Sequence, residues 1–482
     1  MGQANDLAML DATAQAQLVK SGELTPVELV EAACDRLERI NPKLNAVIHL
    51  ALDRARDAAA SSELPDGPFR GVPFLLKDIG GDQKGQPYCA GMRFLKDAKW
   101  TAPEDSFFTQ RIDAAGLVTL GRTATSELAV LPTGETQAFG AVRNPWNLDH
   151  TTGGSSGGTA AAVAAGIVPM AHGSDGGGSI RIPASMCGIV GLKPSRGRCS
   201  FGPGAGERWS GLSGEFALTR SVRDCAALLD AVAGPAPGDP YRAALPERSF
   251  AEQSARPPER LRIGFMRDTP RDIPIHPACV RAVEKTAKLL EELGHDVELA
   301  HPPALEEAEM VGHYVKIVAA NVAQALVSWG QAVGRGVTED SVEPLTWMLA
   351  QQGKELSAQD FLATIEYTHA FGRRLSTWWE SGYDLLLTPG TAQLAPPLGT
   401  LVSTAEEPLK AYFLAAPYGI FTLPHNLSGQ PGISLPLHVS EEGLPIGSQL
   451  VAQVGQEGLL LSCAAQLEAA TPWQSNTPPI FG

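Results

Sequence analysis

Two serines sit inside glycine runs. Ser155 lies in Gly153-Gly154-Ser155-Ser156-Gly157-Gly158, and Ser179 follows Gly176-Gly177-Gly178. Glycine costs backbone entropy, so such runs belong where the chain needs φ > 0 or the close approach of a ligand. A serine held there can face a substrate while neighbouring N–H groups point at one oxygen. That is the local chemistry of a nucleophile beside an oxyanion hole. A serine hydroxyl also needs a base. Gly71-Val72-Pro73-Phe74-Leu75-Leu76-Lys77-Asp78 reads as a short buried strand ending in a lysine. Apolar surroundings disfavour the ammonium, lower its pKa and make Lys77 a usable general base.

Rival readings of the same residues are weaker. Serine is a common helix N-cap, and Lys77 could pair with Asp78 or another carboxylate. Gly153-Gly154-Ser155-Ser156-Gly157 matches the G-x-S-x-G nucleophile elbow, but that motif needs a strand directly before the serine. Here the preceding Asn144–His150 stretch is rich in turn residues. Neither glycine run has the lysine of a phosphate-binding loop. His150 and His172 lie near the serines in sequence and offer a Ser–His–Asp alternative. The ten histidines show no HExxH-like spacing, so no metal and no cofactor are expected.

Lys77, the GGSSGG block and Ser174-Asp175-Gly176-Gly177-Gly178-Ser179-Ile180-Arg181-Ile182-Pro183 with the following ASMCGIVGLKP together resemble the amidase signature family of serine hydrolases. The likeness runs from about Gly71 to Asp230. It returns at Asn426–Pro436 and Leu444–Gly447, and is faint between about Ala236 and Tyr383. The resemblance implies an α/β amidase-signature fold with a large central mixed β-sheet flanked by helices. It implies a Ser–cisSer–Lys triad of Ser179, Ser155 and Lys77, with the serines 24 residues apart as in the family and a cis Gly154–Ser155 peptide. Within the family the arrangement looks closest to small-amide hydrolases such as 6-aminohexanoate cyclic dimer hydrolases and aryl acylamidases.

The reaction so implied is amide hydrolysis through an acyl-enzyme. Lys77 takes a proton from Ser155, Ser155 deprotonates Ser179, and the N–H groups of Gly176, Gly177, Gly178 and Ser179 hold the oxyanion. Ser156 supports this network by hydrogen bonding, and Asp175 with Arg181 forms a salt bridge that shapes the loop. Many family members carry Thr or Ile where this chain has Gly176, which predicts a looser loop or a more open pocket wall. A second function in the same fold is the glutamine-hydrolysing subunit of a transfer-RNA-dependent amidotransferase. Those relatives carry Gln after Ser-Ile-Arg, whereas this chain has Ile182. A non-catalytic binding protein is a third reading, disfavoured because all three triad residues are present.

The elements that must position these residues follow from the rest of the chain. Its 482 residues, 44% apolar, can bury a sizeable core as one amidase domain over 1–482. The expected parts are a helical region at 1–65, the signature core at 66–235 and a helical excursion at 300–380 that walls the substrate pocket. Thr25-Pro26-Val27-Glu28 starts a helix as a capping box, Asn41-Pro42 ends it, and Asn45–Ala60 is a second helical run. Leu261–Met266, a helix from about Pro277 to Leu293 and Asp296–Leu299 form a βαβ-like unit. Pro235–Pro240 is the best linker candidate.

A net charge of −15 with no basic stripe argues against nucleic acid. No uninterrupted apolar stretch reaches a membrane span, and no secretory leader is evident. Seven scattered cysteines without a CxxC pair predict reduced thiols and a cytoplasmic protein. The expected partner is a small-molecule amide, and a homodimer is the default assembly.

Overall fold

The computed structural model describes residues 7–482. Its largest element is an eight-stranded mixed sheet. From one edge to the other the strands are Asp296–Leu299, Arg262–Phe265, Leu385–Pro389, Pro445–Val451, Gly432–Val439, Val190–Lys193, Gly214–Thr219 and Met170–Asp175. The first three are parallel, and every later pairing is antiparallel. The parallel edge is the expected βαβ unit, with the helix Pro277–Glu292 as its crossover.

Lys77 does not belong to this sheet. Its strand, Pro73–Lys77, lies in a separate three-stranded sheet, parallel to the central Val118–Thr123. The third member is Val47–Leu50, antiparallel to the same strand. The expected helical run from Asn45 to Ala60 therefore divides. Val47 and Ile48 favour a strand, and the helix begins only at Leu52.

The helix before it starts as read. Thr25 Oγ1 accepts the Glu28 N–H at 3.2 Å, and the Glu28 carboxylate accepts the Thr25 N–H at 2.8 Å. It passes through Asn41-Pro42 and stops at Leu44. Asn45 in the left-handed region closes the last turn, and the Asn41 side chain accepts the N–H groups of Ala46 and Val47.

The buried alanine-rich helix Gly157–Ala164 packs against both sheets. Strand Met170–Asp175 lies against Pro73–Lys77, so the two sheets meet where the chemistry-bearing residues gather. One apolar cluster, drawing on residues from Ala12 to Trp473, fills the interior around them.

The segment after residue 300 is helical as expected, with Glu309–Val333, Pro344–Glu355 and Ala358–Ser376. Glu309–Val333 is long and apolar enough to cross a membrane by composition alone. Polar Asn321 and Gln324 interrupt its apolar run, and Val318, Val322 and Leu326 are buried in a second core cluster with Leu345 and Leu349. All seven cysteines are buried and unpaired.

Candidate active site

Three segments converge at the junction of the sheets. The end of strand Pro73–Lys77 delivers Lys77, the loop before helix Gly157–Ala164 delivers Ser155 and Ser156, and the turn after strand Met170–Asp175 delivers Ser179. Lys77 Nζ lies 2.7 Å from Ser155 Oγ and 3.0 Å from Ser174 Oγ. The Gly154–Ser155 peptide is cis. The Ser156 hydroxyl donates to the Ser174 carbonyl at 3.2 Å, and the Ser156 N–H donates to the Ser179 carbonyl at 3.2 Å. The two serine loops are thereby tied both directly and through Ser174, a motif residue whose position in sequence suggests no such role.

Lys77 has no solvent exposure. Burial pushes its ammonium down to about 7, with the negative charges of Asp175 and Glu215 opposing the shift only in part. Its backbone is also held, since the Lys77 N–H donates to His172 Nδ1 at 3.1 Å. With Nδ1 accepting, His172 Nε2 carries the proton and donates to Glu215 Oε1 at 3.0 Å. Both ring nitrogens are thus engaged away from Ser179. His150 Nδ1 lies 2.7 Å from the Ala395 carbonyl, in another part of the fold. The Ser–His–Asp alternative has no geometric support.

Asp175 organises the Ser179 turn. Its carboxylate accepts the N–H groups of Gly178 at 2.7 Å and Ile180 at 3.1 Å. Arg181 grips it with Nε and Nη2, each at 3.0 Å. Burial alone would raise the Asp175 pKa, but the Arg181 guanidinium and the hydrogen bond from Asn426 hold it below the usual carboxylate range. The salt bridge expected between these residues is therefore present and fully buried. Asn426 and Gln449 complete it. Asn426 Oδ1 accepts from Arg181 at 2.6 Å, and Gln449 Oε1 accepts from Arg181 at 2.9 Å. Asn426 lay within the recognised C-terminal motif, but nothing in the sequence tied it to Arg181.

The donor set for an oxyanion differs from the four groups expected. The Gly178 N–H is consumed by Asp175, whereas those of Gly176, Gly177 and Ser179 have no hydrogen-bond partner among the described residues. Gly178 sits at φ +134°, a conformation disfavoured for L side chains, and a Cβ there would lie 2.3 Å from Thr422 Oγ1. Gly176 does not open the wall as expected. A Cβ at this position would meet the Trp209 ring at 2.7 Å, so an indole occupies the space that a larger residue would take.

Ser179 is shared by two cavities. One, of about 600 Å³, is also lined by Ser155, Ser174, Tyr88, Trp100 and Trp329. The other, of about 320 Å³, is mainly apolar and includes Ile182, Met310, Tyr314 and Leu349. The helical segment after residue 300 contributes to both. Ala129 is the other shared residue, and both Leu128 (φ 48°) and Ala129 (φ 61°) adopt the left-handed conformation without being glycine. Such residues cost about 1–2 kcal/mol each and mark a backbone shaped by its surroundings.

A family model described as amidase matches residues 28–461. The chain belongs to the amidase signature family. It is 42% identical to a 6-aminohexanoate-cyclic-dimer hydrolase from Pseudomonas sp. (strain NK87) over 479 residues, covering 98% of this chain and 97% of the relative. The solved structure of a 6-aminohexanoate cyclic dimer hydrolase with its substrate superposes with a TM-score of 0.96 at 41% identity, over 98% of this chain and 100% of the other. A bacterial aryl acylamidase superposes with a TM-score of 0.87 at 29% identity, over 96% of each chain. This amidase is accordingly a hydrolase of amide C–N bonds other than peptide bonds, and its fold is the amidase-signature α/β fold anticipated from the motifs.

Proposed function

We propose that Ser179 is the nucleophile, Ser155 the proton relay and Lys77 the base of an acyl-enzyme mechanism acting on small amides. The observation that carries this reading is the 2.7 Å contact between Lys77 Nζ and Ser155 Oγ in a fully buried setting. Neutral Lys77 accepts the Ser155 proton as Ser155 accepts that of Ser179. Ser179 Oγ then bonds to the carbonyl carbon, and the carbonyl oxygen takes the negative charge. The free N–H groups of Gly176, Gly177 and Ser179 receive it, each such donor being worth about 2.7–4 kcal/mol in comparable hydrolases. Ser155 passes its proton to the leaving nitrogen, the C–N bond breaks, and the amine departs. Water repeats the sequence on the ester, restoring Ser179 and releasing the carboxylic acid. An amine leaves only when protonated, so the relay matters more for amides than for esters.

The two cavities suit a substrate that extends on both sides of the scissile bond. The relative's named substrate, a cyclic dimer of 6-aminohexanoate, has that property. Cyclic and linear aminoacyl amides are therefore the substrate class we assign, with a small-molecule partner and no nucleic acid. The seven unpaired thiols support a reducing compartment, the cytoplasm. The test is hydrolysis of a panel by wild type and Ser179→Ala: 6-aminohexanoate cyclic dimer, an anilide, glutamine, a carbamate and a matched ester. Turnover of the cyclic dimer lost in the variant is expected. Full activity in Ser179→Ala would overturn the assignment.

A further inference from the structure

The 600 Å³ cavity holds two opposite charges that do not meet. Asp82 and Arg208 both line it, together with Ser179. Among the described residues neither side chain makes an ion pair or a hydrogen bond, and each has a buried atom without a partner, Asp82 Oδ1 and Arg208 Nε. Both residues are half-buried, and a charged group partly withdrawn from water gains from a partner. The groups still sense each other. Burial raises the Asp82 pKa and Arg208 opposes that rise, while Asp82 favours the charged form of Arg208.

The surroundings limit what can lie between them. Glu215 is already engaged by His172 and the Gly81 N–H. Glu104 and Glu207, the other carboxylates on this cavity, are exposed to solvent. Arg208 also lies over the Phe201 ring at 6.0 Å, and the Tyr88 phenol favours its charged form against the cost of burial. A carboxylate ligand would pair with Arg208 but leave Asp82 without a partner and be repelled by the acidic wall. An ammonium would pair with Asp82 but leave Arg208 without a partner. A neutral secondary amide serves both, because its N–H and C=O point in opposite directions across the trans peptide plane.

Resting on the hydrolase reading above, we propose that Asp82 and Arg208 bind a second, non-reacting amide of the substrate. Asp82 accepts its N–H and Arg208 donates to its carbonyl, so the enzyme selects diamides over monoamides of equal length. The aromatic walls at Tyr88, Trp100 and Trp329 suit the methylene chain between the two amides. A cyclic dimer of an amino acid is one such diamide, and a linear dimer amide is another.

The test compares a linear diamide with an analogue in which the second amide is replaced by two methylenes, the scissile amide being the same. Wild type is expected to prefer the diamide in kcat/KM by about tenfold or more, since a site built to hydrogen-bond a group discriminates against its absence. Asp82→Leu and Arg208→Met should each reduce that ratio at least tenfold, mainly through KM. Asp82→Asn and Arg208→Lys, which keep an acceptor and a donor, should restore part of it. Titration of Ser179 with an acylating ester counts folded sites in every variant. An unchanged ratio in both truncations, or a selective loss of an ammonium- or carboxylate-terminated amide instead, would overturn the proposal. A wild type inert on both amides with an unreactive Ser179 would overturn the hydrolase reading of the site, and this inference with it.

Discussion

Arg181 holds Asp175 with two parallel hydrogen bonds of 3.0 Å each, and neither side chain has any solvent exposure. The same carboxylate takes the N–H of Gly178, whereas the neighbouring N–H groups of Gly176 and Gly177 have no hydrogen-bond partner among the described residues. The pair therefore links the C-terminal motif, through Asn426 and Gln449, to the turn that presents Ser179. Removing one member of a buried ion pair leaves the other uncompensated, at a cost of about 3–5 kcal/mol. Arg181→Leu should lose stability of that order in denaturant unfolding, and Asp175→Asn should lower kcat more than it raises KM. A substitution that left both quantities at wild-type values would remove the shaping role assigned here.

The proposed mechanism requires a neutral Lys77, the only form that can accept a proton. Its pKa of about 7 means that the charged, inactive form dominates below that pH and the neutral form above it. The kcat/KM profile should rise with pH through an apparent pKa near 7 and then level off. Lys77→Met should reduce amide hydrolysis by about 10²–10⁴-fold, the usual contribution of a general base. A profile flat from pH 5 to pH 9 would exclude Lys77 as the titrating group.

Ser155 and Ser179 should separate by substrate. Ser179→Ala is expected to abolish hydrolysis of amide and ester alike, with no acyl-enzyme detectable by mass spectrometry. Ser155→Ala should depress amide turnover more than ester turnover, because only the amine needs protonation to leave. Equal losses on matched amide and ester substrates would argue against the relay.

Gly176→Val tests the close approach of Trp209. A Cβ at this position would come within 2.7 Å of the indole ring, so the turn or the ring must shift. Overpacking of this kind costs about 1–3 kcal/mol. The expected outcome is a lower melting temperature and a reduced kcat, relieved when Trp209→Leu is added. Failure of the second substitution to restore activity would show that the loss has another origin.

Much of the site was legible because its residues are close in sequence. Ser155, Ser156, Asp175, Ser179 and Arg181 lie in one glycine-rich stretch, and glycine runs with internal serines are rare enough to be informative. The strand-ending Lys77 stood out through its apolar run. What the sequence concealed were contacts between distant segments: Asn426 on Arg181, Ser174 on Lys77, and His172 on the Lys77 backbone. The strand at Val47–Leu50 is hidden in the sequence because four residues carry too little periodicity to outweigh the helical runs beside them.

By itself the chain determined the glycine-flanked serine turns, the buried lysine, the capping box at Thr25 and the βαβ unit of the parallel edge. These depend on local backbone preference and on which faces are apolar. The tertiary structure alone decided that Lys77 belongs to a small separate sheet, that the Gly178 N–H is spent on Asp175, and that Ser179 opens onto two cavities. It alone placed Asp82 and Arg208, 126 residues apart in the chain, around one cavity. Hydrogen-bond direction and cavity shape arise from groups meeting across the fold, and no spacing along the chain encodes which of them will meet.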